Sequence, residues 1–468
     1  MSWARRSRGA LPLFVFVVVV VIGGAVFLSG LTSAPLAAQD TAAAPGASGL
    51  TFGEAVRIAL ENNPAYMRQL NQVEAAEYGE RQSMGQAFLP NLSASLSFGG
   101  TGVRSENAVD EFGRRVSGSA QETTSSASQG LSGSVPLFNL QSIRGYRAAR
   151  ARTDAQVAGA ALGAAQLRTL VGRSYFDAVQ RERLIAVEER NLTTAREQLA
   201  ATRELLRIAA RQPTDVLGAE LQVARAEQSL QQARGEARKA RLQLLESMGV
   251  SLGTELELAS DFRAVFDPAA LDLDALIDRA VGESPGMGQQ EAQLDAARAS
   301  LSAARAARFP TLNGNFGLGR STSADEFDAI GQFDLPNQSW NFGFGVSVPL
   351  FNRLSTSAQI GQAEQEAENA AESLREARLQ LEREVRTAVI DLENAYSGVL
   401  VAERAVEISR ERLAQGEELY RLGTLGYTDL QRMFDDVAAQ ERQVVTAQFG
   451  FSTALLTLEE KVGGTVGN

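Results

Sequence analysis

The chain has 468 residues, with 45 Lys and Arg against 56 Asp and Glu, and it contains neither Cys nor His. This composition excludes disulfide frameworks, zinc and iron–sulfur sites built on Cys or His, thiol nucleophiles and imidazole triads. Only acid, amine, hydroxyl or tyrosine chemistry would remain for an enzyme, so an enzyme is the third and least favoured function class, and we expect no cofactor and no metal. The net charge of −11 argues against a nucleic-acid-binding protein, because phosphate contacts need clustered cations.

Residues 1–38 have the order of a secretory signal peptide. Basic residues precede an apolar run from Leu11 to Leu28, and small residues follow up to Ala38. We expect cleavage near Ala38, which takes the net charge to −14 (42 basic against 56 acidic residues). The run of about 18 residues is near the lower limit for a spanning helix, so an uncleaved anchor is the alternative. Since no Cys stands near the cleavage site, we expect an exported chain without an N-terminal lipid.

After a linker at 39–49, the chain is a tandem repeat with a period of about 214–221 residues. The matching segments are Asn63-Pro64 with Ser284-Pro285, Pro136-Leu-Phe-Asn139 with Pro349-Leu-Phe-Asn352, and Thr214-Asp215 with Thr428-Asp429. The first repeat is expected at 50–250 and the second at 271–462, joined by a connector at 251–270. A period this long indicates that each repeat is a whole structural module.

Each repeat begins with helical sequence and then changes to a period of two. Thr51-Phe-Gly-Glu54 has the pattern of a capping box. Strands are predicted at about 91–99 and 130–138 in the first repeat, and at about 311–319 and 339–350 in the second. Polar loops at 99–130 and 319–338 connect them.

The predicted strands are apolar on one face and rich in Ser, Gly and Asn on the other, as between Trp340 and Val348. Strands of this length cross a bilayer when tilted, with an apolar face toward lipid. The alternative is a small soluble sheet with one buried face. We favour the membrane, because a face without charged residues suits a polar lumen better than open solvent.

A long helix follows the strands of each repeat, at about 140–208 and 353–422. Apolar residues recur at seven-residue intervals along both, from Val157 to Leu206 and from Val385 to Tyr420, which predicts left-handed coiled-coil packing. Shorter returning helices are predicted at about 214–247 and 428–461. These segments carry many Arg and Glu residues, so we expect them to stand in water.

Two strands per repeat give four per chain, which is too few to close a barrel. An open edge in lipid leaves unpaired backbone groups, each costing several kcal/mol. Several chains must therefore share one barrel, with eight strands in a dimer and twelve in a trimer. Only the larger barrel encloses a passage.

The sequence resembles the TolC-like outer membrane efflux protein family over essentially the whole mature chain. The resemblance is carried by Leu50-Thr-x-x-Glu54 with Asn63-Pro64, by the two Pro-Leu-Phe-Asn segments, and by Tyr420-Arg-x-Gly423 before Thr428-Asp429-Leu430. The family often has Gly soon after Pro-Leu-Phe-Asn, whereas Leu140-Gln141 and Arg353-Leu354 stand there in this chain. We therefore expect a different bend from strand to helix.

The resemblance implies a mainly α fold with a small β part. Long antiparallel coiled-coil helices form a periplasmic α-barrel, and four strands per chain contribute to a trimeric twelve-stranded β-barrel in the outer membrane. It implies a passive channel of a tripartite efflux or type I secretion system, gated at its periplasmic tip. The implied partners are two further copies of the chain, a periplasmic adaptor, an inner-membrane transporter of RND, ABC or MFS type, and outer-membrane lipid.

Acidic residues lie where the returning helices begin. A purely structural interpretation of Asp215 and Asp429 is that Thr214 and Thr428 cap these helices while the carboxylates complement the helix dipole, worth about 0.3–1 kcal/mol. The resemblance adds a closed aperture lined by acidic residues. The candidates are then Asp215, Asp429, Asp435 and Asp436; the first repeat has Leu221 and Gln222 where the second has the last two.

Two further candidates are Tyr420 and Arg432. The resemblance implies that Tyr420 holds the closed tip by a hydrogen bond, whereas its heptad position predicts a core residue. Arg432 stands where a family member has an acid, three residues after Asp429, and an ion pair between the two is worth about 0.2–0.5 kcal/mol. The alternative to a channel is a structural or adhesive coiled-coil protein of the cell surface, and the exported substrate is not specified by the sequence.

Overall fold

The computed structural model describes residues 49–105, 112, 114, 120–208, 212–259, 262–325, 328–331, 333 and 335–466. The predicted signal peptide at 1–38, its alternative as an anchor, and the cleavage near Ala38 lie outside these residues. Among the helices of the described ranges, none combines the length and the apolar character that crossing a membrane requires.

The chain folds as two copies of the order helix, helix, strand, strand, long helix, helix. The first copy contains α1 (Phe52–Asn62), α2 (Pro64–Phe88), β1 (Asn91–Ser105), β2 (Ala120–Asn139), α3 (Leu140–Arg207) and α4 (Pro213–Met248). The second contains α5 (Leu273–Glu283), α6 (Pro285–Ala306), β3 (Thr311–Asp325), β4 (Asn337–Ser347), α7 (Ser355–Arg421) and α8 (Tyr427–Val462). The predicted fold class, mainly helical with four strands in two repeats, is confirmed.

Corresponding residues begin and end the helices of the two copies. Thr51 and Glu54 form the predicted capping box, in which each side chain accepts from the backbone N–H of the other residue. Asn63 caps α2 by accepting from the N–H groups of Ala65 and Tyr66. The returning helices α4 and α8 both end at a left-handed glycine, Gly249 (φ 74°) and Gly463 (φ 82°), which a residue with a Cβ adopts only with strain.

The four strands form one antiparallel sheet in the order β1-β2-β3-β4. β1 and β2 are longer than predicted, because they continue into the segment 99–130 that the sequence indicated as a loop. Thr101 pairs with Thr124, and Gly99 with Ser126, in the same ladder as the apolar residues below them. Small polar residues leave the backbone hydrogen bonds intact, so the strands extend beyond their apolar part.

The two faces of the sheet differ as the alternation predicts. On one face Phe316 lies opposite Phe342, and Leu318 lies opposite Trp340, whose side chain is 71% exposed in the single chain. On the other face the hydroxyls of Ser93 and Ser132 hydrogen bond at 2.8 Å. A folded chain therefore presents one broad apolar surface and one polar surface rich in Ser, Gly and Asn.

The two strand-to-helix junctions are built differently. In the first repeat Asn139 caps α3 directly, accepting from the N–H of Ser142 at 3.0 Å. In the second repeat Arg353 (φ 56°) and Leu354 (φ 66°) both have left-handed backbone conformations before α7 begins. Non-glycine residues pay about 1–2 kcal/mol each there. The two repeats of this chain thus turn from strand to helix in different ways. A difference from the bend of the family stays a prediction.

Each repeat has its own hydrophobic core where its short first helix packs between its two longer helices. The first core joins α1, α3 and α4 around Tyr175, Phe176 and Leu244. The second joins α5, α7 and α8 around Leu392 and Phe451. The predicted heptad residues of α7 are buried or half-buried, whereas Val157 near the start of α3 is half exposed, so the coiled-coil core begins further along α3 than the sequence indicated.

The connector ties the repeats together. Leu50 forms a parallel bridge with Leu258, and its carbonyl accepts the hydroxyl of Tyr175 at 3.0 Å. The carboxylate of Glu459, only 3% exposed, accepts from Arg168 at 3.3 Å and from Arg263 of the connector. A buried carboxylate with two cationic partners fixes the relative position of α3, α8 and the connector.

Candidate functional site at the tip of the helical hairpins

The candidate site lies where α3 turns into α4 and α7 turns into α8, the ends of the helices furthest from the sheet. The second turn is tight: Gly423 has φ 85°, its N–H donates to the carbonyl of Tyr420, and Thr424 donates to the carbonyl of Leu419 by both its N–H and its hydroxyl. Residues 209–211 of the first turn lie outside the described residues. All six predicted site residues lie close to these two turns.

The predicted capping by threonine is wrong. α4 begins at Pro213 after Gln212, and α8 begins at Tyr427 after Gly426, so Thr214 and Thr428 are already inside the first turn. The side chain of Gln212 accepts no backbone N–H of α4, and Gly426 has no side chain with which to cap α8. Each helix therefore starts two residues earlier than a threonine cap predicts, at Pro213 and at Tyr427. Asp215 and Asp429 remain in the first turn, where their charge complements the helix dipole.

The acidic residues of α8 each have a partner. Asp429 accepts from Arg432 at 3.3 Å, and Asp436 accepts from Arg412 of α7 at 2.9 Å. All four of these side chains are more than half exposed, so each pair contributes about 0–1 kcal/mol. Arg432 and Arg412 therefore offset part of the negative charge that the carboxylates bring to the tip.

Asp435 connects the two hairpins through amides. It accepts from Gln222 of α4 at 2.9 Å, and the carbonyl oxygen of Gln222 accepts from Gln431 at 3.0 Å. The sequence comparison named Gln222 only as the counterpart of Asp436. The structure makes it the residue that joins α4 to α8, so the asymmetry between the repeats has a geometric role.

Tyr420 and Tyr427 form an aromatic pair beneath the turn. Tyr420 is 3% exposed, and its ring lies 6.2 Å from that of Tyr427. Burial raises the pKa of Tyr427 to about 12, and Tyr420, Asp435 and Asp215 act in the same direction. The neutral phenol of Tyr427 is thus held between carboxylates of α4 and α8.

Tyr427 also sets how closely the two hairpins approach. A Cβ on Gly218 of α4 would lie 2.7 Å from Cε1 of Tyr427, closer than packed carbon atoms come, so only glycine fits beneath this ring. Sequence reasoning missed both residues. A comparison of the two repeats could have indicated them. At the offset of 214 that aligns Asp215 with Asp429, Gly218 aligns with Arg432 and Pro213 aligns with Tyr427. At both positions a small residue in one repeat replaces a large one in the other.

Further from the tip, ion pairs reinforce the contact between the hairpins. Glu188 of α3, 6% exposed, accepts from Arg442 of α8 at 2.6 Å. Glu441 of α8 accepts from Arg410 of α7 at 2.5 Å and lies 3.7 Å from Arg190 of α3. These pairs line a cavity of about 400 Å³ that extends to Tyr427 and Asp435. The contact between the two hairpins thus continues from the tip along α3, α7 and α8.

One pair of like charges opposes this contact. Partial desolvation raises the pKa of the Glu417 carboxyl in α7, and the charge of Glu197 in α3 raises it further. Within the described ranges, no group of three or more Asp and Glu residues is arranged to hold a metal ion. The described residues of the tip thus form contacts between helices, namely ion pairs, amide hydrogen bonds and the packing of two tyrosine rings.

Comparison with known proteins gives the family of the chain. The profile described as "Outer membrane efflux protein" matches residues 55–250 and 276–464. Protein CyaE of Bordetella pertussis is 27% identical over 461 residues, covering 95% of this chain and 92% of CyaE. The outer membrane efflux protein BepC of Brucella suis is 26% identical over 302 residues, covering 62% of this chain and 61% of BepC.

The fold is shared with solved channels. The open state of the MtrE outer membrane channel of Neisseria gonorrhoeae aligns with a TM-score of 0.69 at 20% identity, covering 88% of this chain and 89% of MtrE. At this level of identity the likeness concerns the fold.

Proposed function

The chain belongs to the outer membrane efflux protein family, whose members are outer-membrane channels of tripartite efflux or secretion systems, and we propose that three copies form a passive duct gated at the helical tip. The polar face of each sheet lines the passage through the outer membrane, and the long helices continue it into the periplasm. The substrate passes without chemical change, since the tip holds residues for contact and charge only.

The contact of α4 with α8 at the tip is the observation that carries the gate. Gly218 under Tyr427, Gln222 with Asp435, and Glu188 with Arg442 hold the α3/α4 hairpin against the α7/α8 hairpin. Opening requires these contacts to separate. Because the interactions are individually worth about 1–3 kcal/mol, a partner that binds the separated hairpins better can shift the equilibrium.

The sheet supports the assembly. In the described part of one chain, β1 and β4 each pair on one side only. Edge backbone groups left unpaired in hydrocarbon cost several kcal/mol each. Pairing β4 of one copy with β1 of the next removes both edges, and three copies give twelve strands around a passage.

We infer that partner proteins supply the energy for transport through the duct and select its substrate. The sequence contains no G-x-x-x-x-G-K nucleotide-binding loop. A periplasmic adaptor docks the tip to an inner-membrane transporter of RND, ABC or MFS type, and this transporter selects and drives the substrate. The acidic residues of the tip favour the entry of cations, and Arg412 and Arg432 moderate this preference.

Planar-bilayer recording of the full-length chain tests the gate. We expect the wild type to conduct weakly with a preference for cations. Asp429→Ala with Asp436→Ala should raise the leak conductance, because α8 loses the ion pair with Arg412 that holds it in position within its own hairpin for contact with α4, and it should lower the cation preference. Arg432→Ala should have the opposite effect on selectivity. It leaves the carboxylate of Asp429 without its ion pair and should raise the cation preference. Unchanged conductance and selectivity in both variants would contradict the proposal that the gate lies at this tip.

A further inference from the structure

The helix ends nearest the sheet are strongly basic, although the chain as a whole is acidic. Segments 81–105, 139–153, 296–324 and 335–363 contain no Asp or Glu at all. Each includes the junction between a strand and a helix. The largest group of cations is at the start of α3, where Arg144, Arg147, Arg150 and Arg152 occur within nine residues.

Three of these arginines have no acidic partner among the described residues. Arg147 and Arg150 are exposed and Arg144 is half-buried, and in the described part of the chain none of the three forms an ion pair. Arg152 differs, since it donates to the hydroxyl of Ser300 in α6 at 3.1 Å. Elsewhere on the long helices the arginines are mostly paired, as in Arg196 with Glu227. We call Arg144, Arg147 and Arg150 the arginine ridge.

Contacts of α3 show which way the arginine ridge faces. Tyr146 packs on Phe88 of α2, and Thr153 donates to the carbonyl of Ala76 in α2. Arg152 contacts α6 as described, and Gly159 lies against Gln289 of α6. At about 100° per residue, the α2 and α6 contacts are about 120° apart around the axis of α3.

Arg147 lies diametrically opposite the middle of that 120° sector, with Arg144 and Arg150 about 60° to either side. In a closed ring of helices, the directions from one helix to its two neighbours enclose an angle of less than 180°, and this angle opens toward the lumen. The arginine ridge therefore faces the outside of the tube, away from the passage.

The arginine ridge also lies at the height of the lipid headgroups. β2 ends at Asn139, so Arg144, Arg147 and Arg150 follow at about 6, 10 and 15 Å along α3. Side chains on a helix lean toward its N-terminus, which directs these guanidinium groups back toward the sheet. Exposed aromatic residues mark the lower edge of the apolar band, namely Phe138, Phe309 and Phe351.

We propose that the arginine ridge binds the phosphate groups of anionic glycerophospholipids in the leaflet of the outer membrane that faces the periplasm. This inference rests on the proposed orientation of the sheet in that membrane. Guanidinium groups bind phosphate through two parallel hydrogen bonds, and basic residues beside a bilayer attract anionic headgroups. Arg308 and Arg353, exposed at the same two junctions of the second repeat, extend the basic surface. The lipid contact fixes the depth of the duct in the membrane.

The test uses the full-length chain purified in mild detergent. Phosphatidylglycerol is added, phosphatidylethanolamine serves as the reference lipid, and retained lipid is counted by native mass spectrometry. The wild type should prefer phosphatidylglycerol. Arg144→Gln with Arg147→Gln and Arg150→Gln should lose this preference by about tenfold or more, whereas the three Arg→Lys changes should keep most of it.

A matched control removes three exposed arginines of α7 far from the membrane, namely Arg375→Gln with Arg378→Gln and Arg383→Gln. This variant has the same net charge and should bind lipid as the wild type does. The proposal is overturned if the ridge variant keeps its phosphatidylglycerol preference, or if the control loses it equally. An altered ion selectivity in planar bilayers with unchanged lipid binding places the ridge in the lumen and also overturns it. Absence of any conductance in the wild type contradicts the proposed channel instead, whatever the lipid result.

Discussion

Two residues, one without a side chain and one with a large ring, determine the closest approach of the hairpins at the tip. Gly218 lies under Tyr427, and Tyr427 packs on the buried Tyr420. The other repeat has Arg432 and Pro213 at the equivalent positions, so the same contact does not form twice. The two hairpins of one chain therefore contribute different residues to their contact at the tip.

Gly218→Ala should weaken the closed tip. The new methyl group lies 2.7 Å from Tyr427 Cε1, and relieving such a contact typically costs about 1–3 kcal/mol. The ring must shift away from α4, so we expect a higher leak conductance in planar bilayers. The same change favours the α4 helix by about 1 kcal/mol, so thermal unfolding should not show a large loss of stability.

Gly235→Ala on the same helix is the matched control, because nothing lies within 4 Å of a Cβ at that position. It should bring the same gain in helix propensity with wild-type conductance. Adding Tyr427→Leu to Gly218→Ala should restore a low leak by removing the ring. A leak that rises equally in the Gly235 variant shows that helix propensity, and not the contact with Tyr427, is responsible.

At the scale of elements, the sequence predicted what depends on long regular patterns. Heptads from Val385 to Tyr420 located a helix of 67 residues, and the period of two located all four strands. The ends of elements were less predictable, because Ser, Thr and Gly continue β1 and β2 without an apolar signal. The contacts of the tip could not be predicted from the sequence. Gln222 and Asp435 are 213 residues apart, and no local pattern indicates that their side chains are in contact.

The long helices α3 and α7 carry a repulsion that depends on pH. Burial and the charge of Glu197 raise the pKa of Glu417 above its usual 4.5. A raised carboxyl pKa means that the packed arrangement favours the protonated form, so it is most stable below that pKa and loses this stability as the pH rises through it. We therefore expect the leak conductance of the wild type to fall on acidification from neutral pH toward about pH 5.

Glu417→Gln should abolish most of this pH dependence and give a low leak at both pH values, since a neutral amide cannot repel Glu197. Glu418→Gln is the adjacent control, because Glu418 is paired with Arg421 on the same helix. It should retain the dependence of the wild type. The measurement is the bilayer conductance of the wild type, the Glu417→Gln variant and the Glu418→Gln variant across this pH range. If the Glu417→Gln variant has the same pH dependence as the wild type, groups other than Glu417 cause the effect.

At the scale of the molecule, the surfaces of one chain make sense only in an assembly. The apolar face around Trp340 and Phe342 is exposed in the single chain, and within the part of the chain that the structure describes β1 and β4 each lack a partner on one side. Lipid covers the first and neighbouring copies cover the second. The arginine ridge then meets the headgroups while the acidic tip reaches toward the partners, so opposite charges mark the two ends of the helical part.

The number of chains per channel can be counted by mixing. Wild-type chains and Gly218→Ala chains carry different tags and are coexpressed in equal amounts. All assemblies, whether they contain one kind of chain or both, are purified and recorded as single channels. Each copy contributes one tip contact, so a ring of three equivalent copies gives four conductance classes, holding none, one, two or three altered contacts. The two mixed classes should each be about three times as frequent as a pure class. Three classes would indicate a dimer, whose eight strands enclose little beyond side chains. Two classes alone would mean that chains do not share a channel, and that conclusion would contradict the closure of the barrel by neighbouring copies.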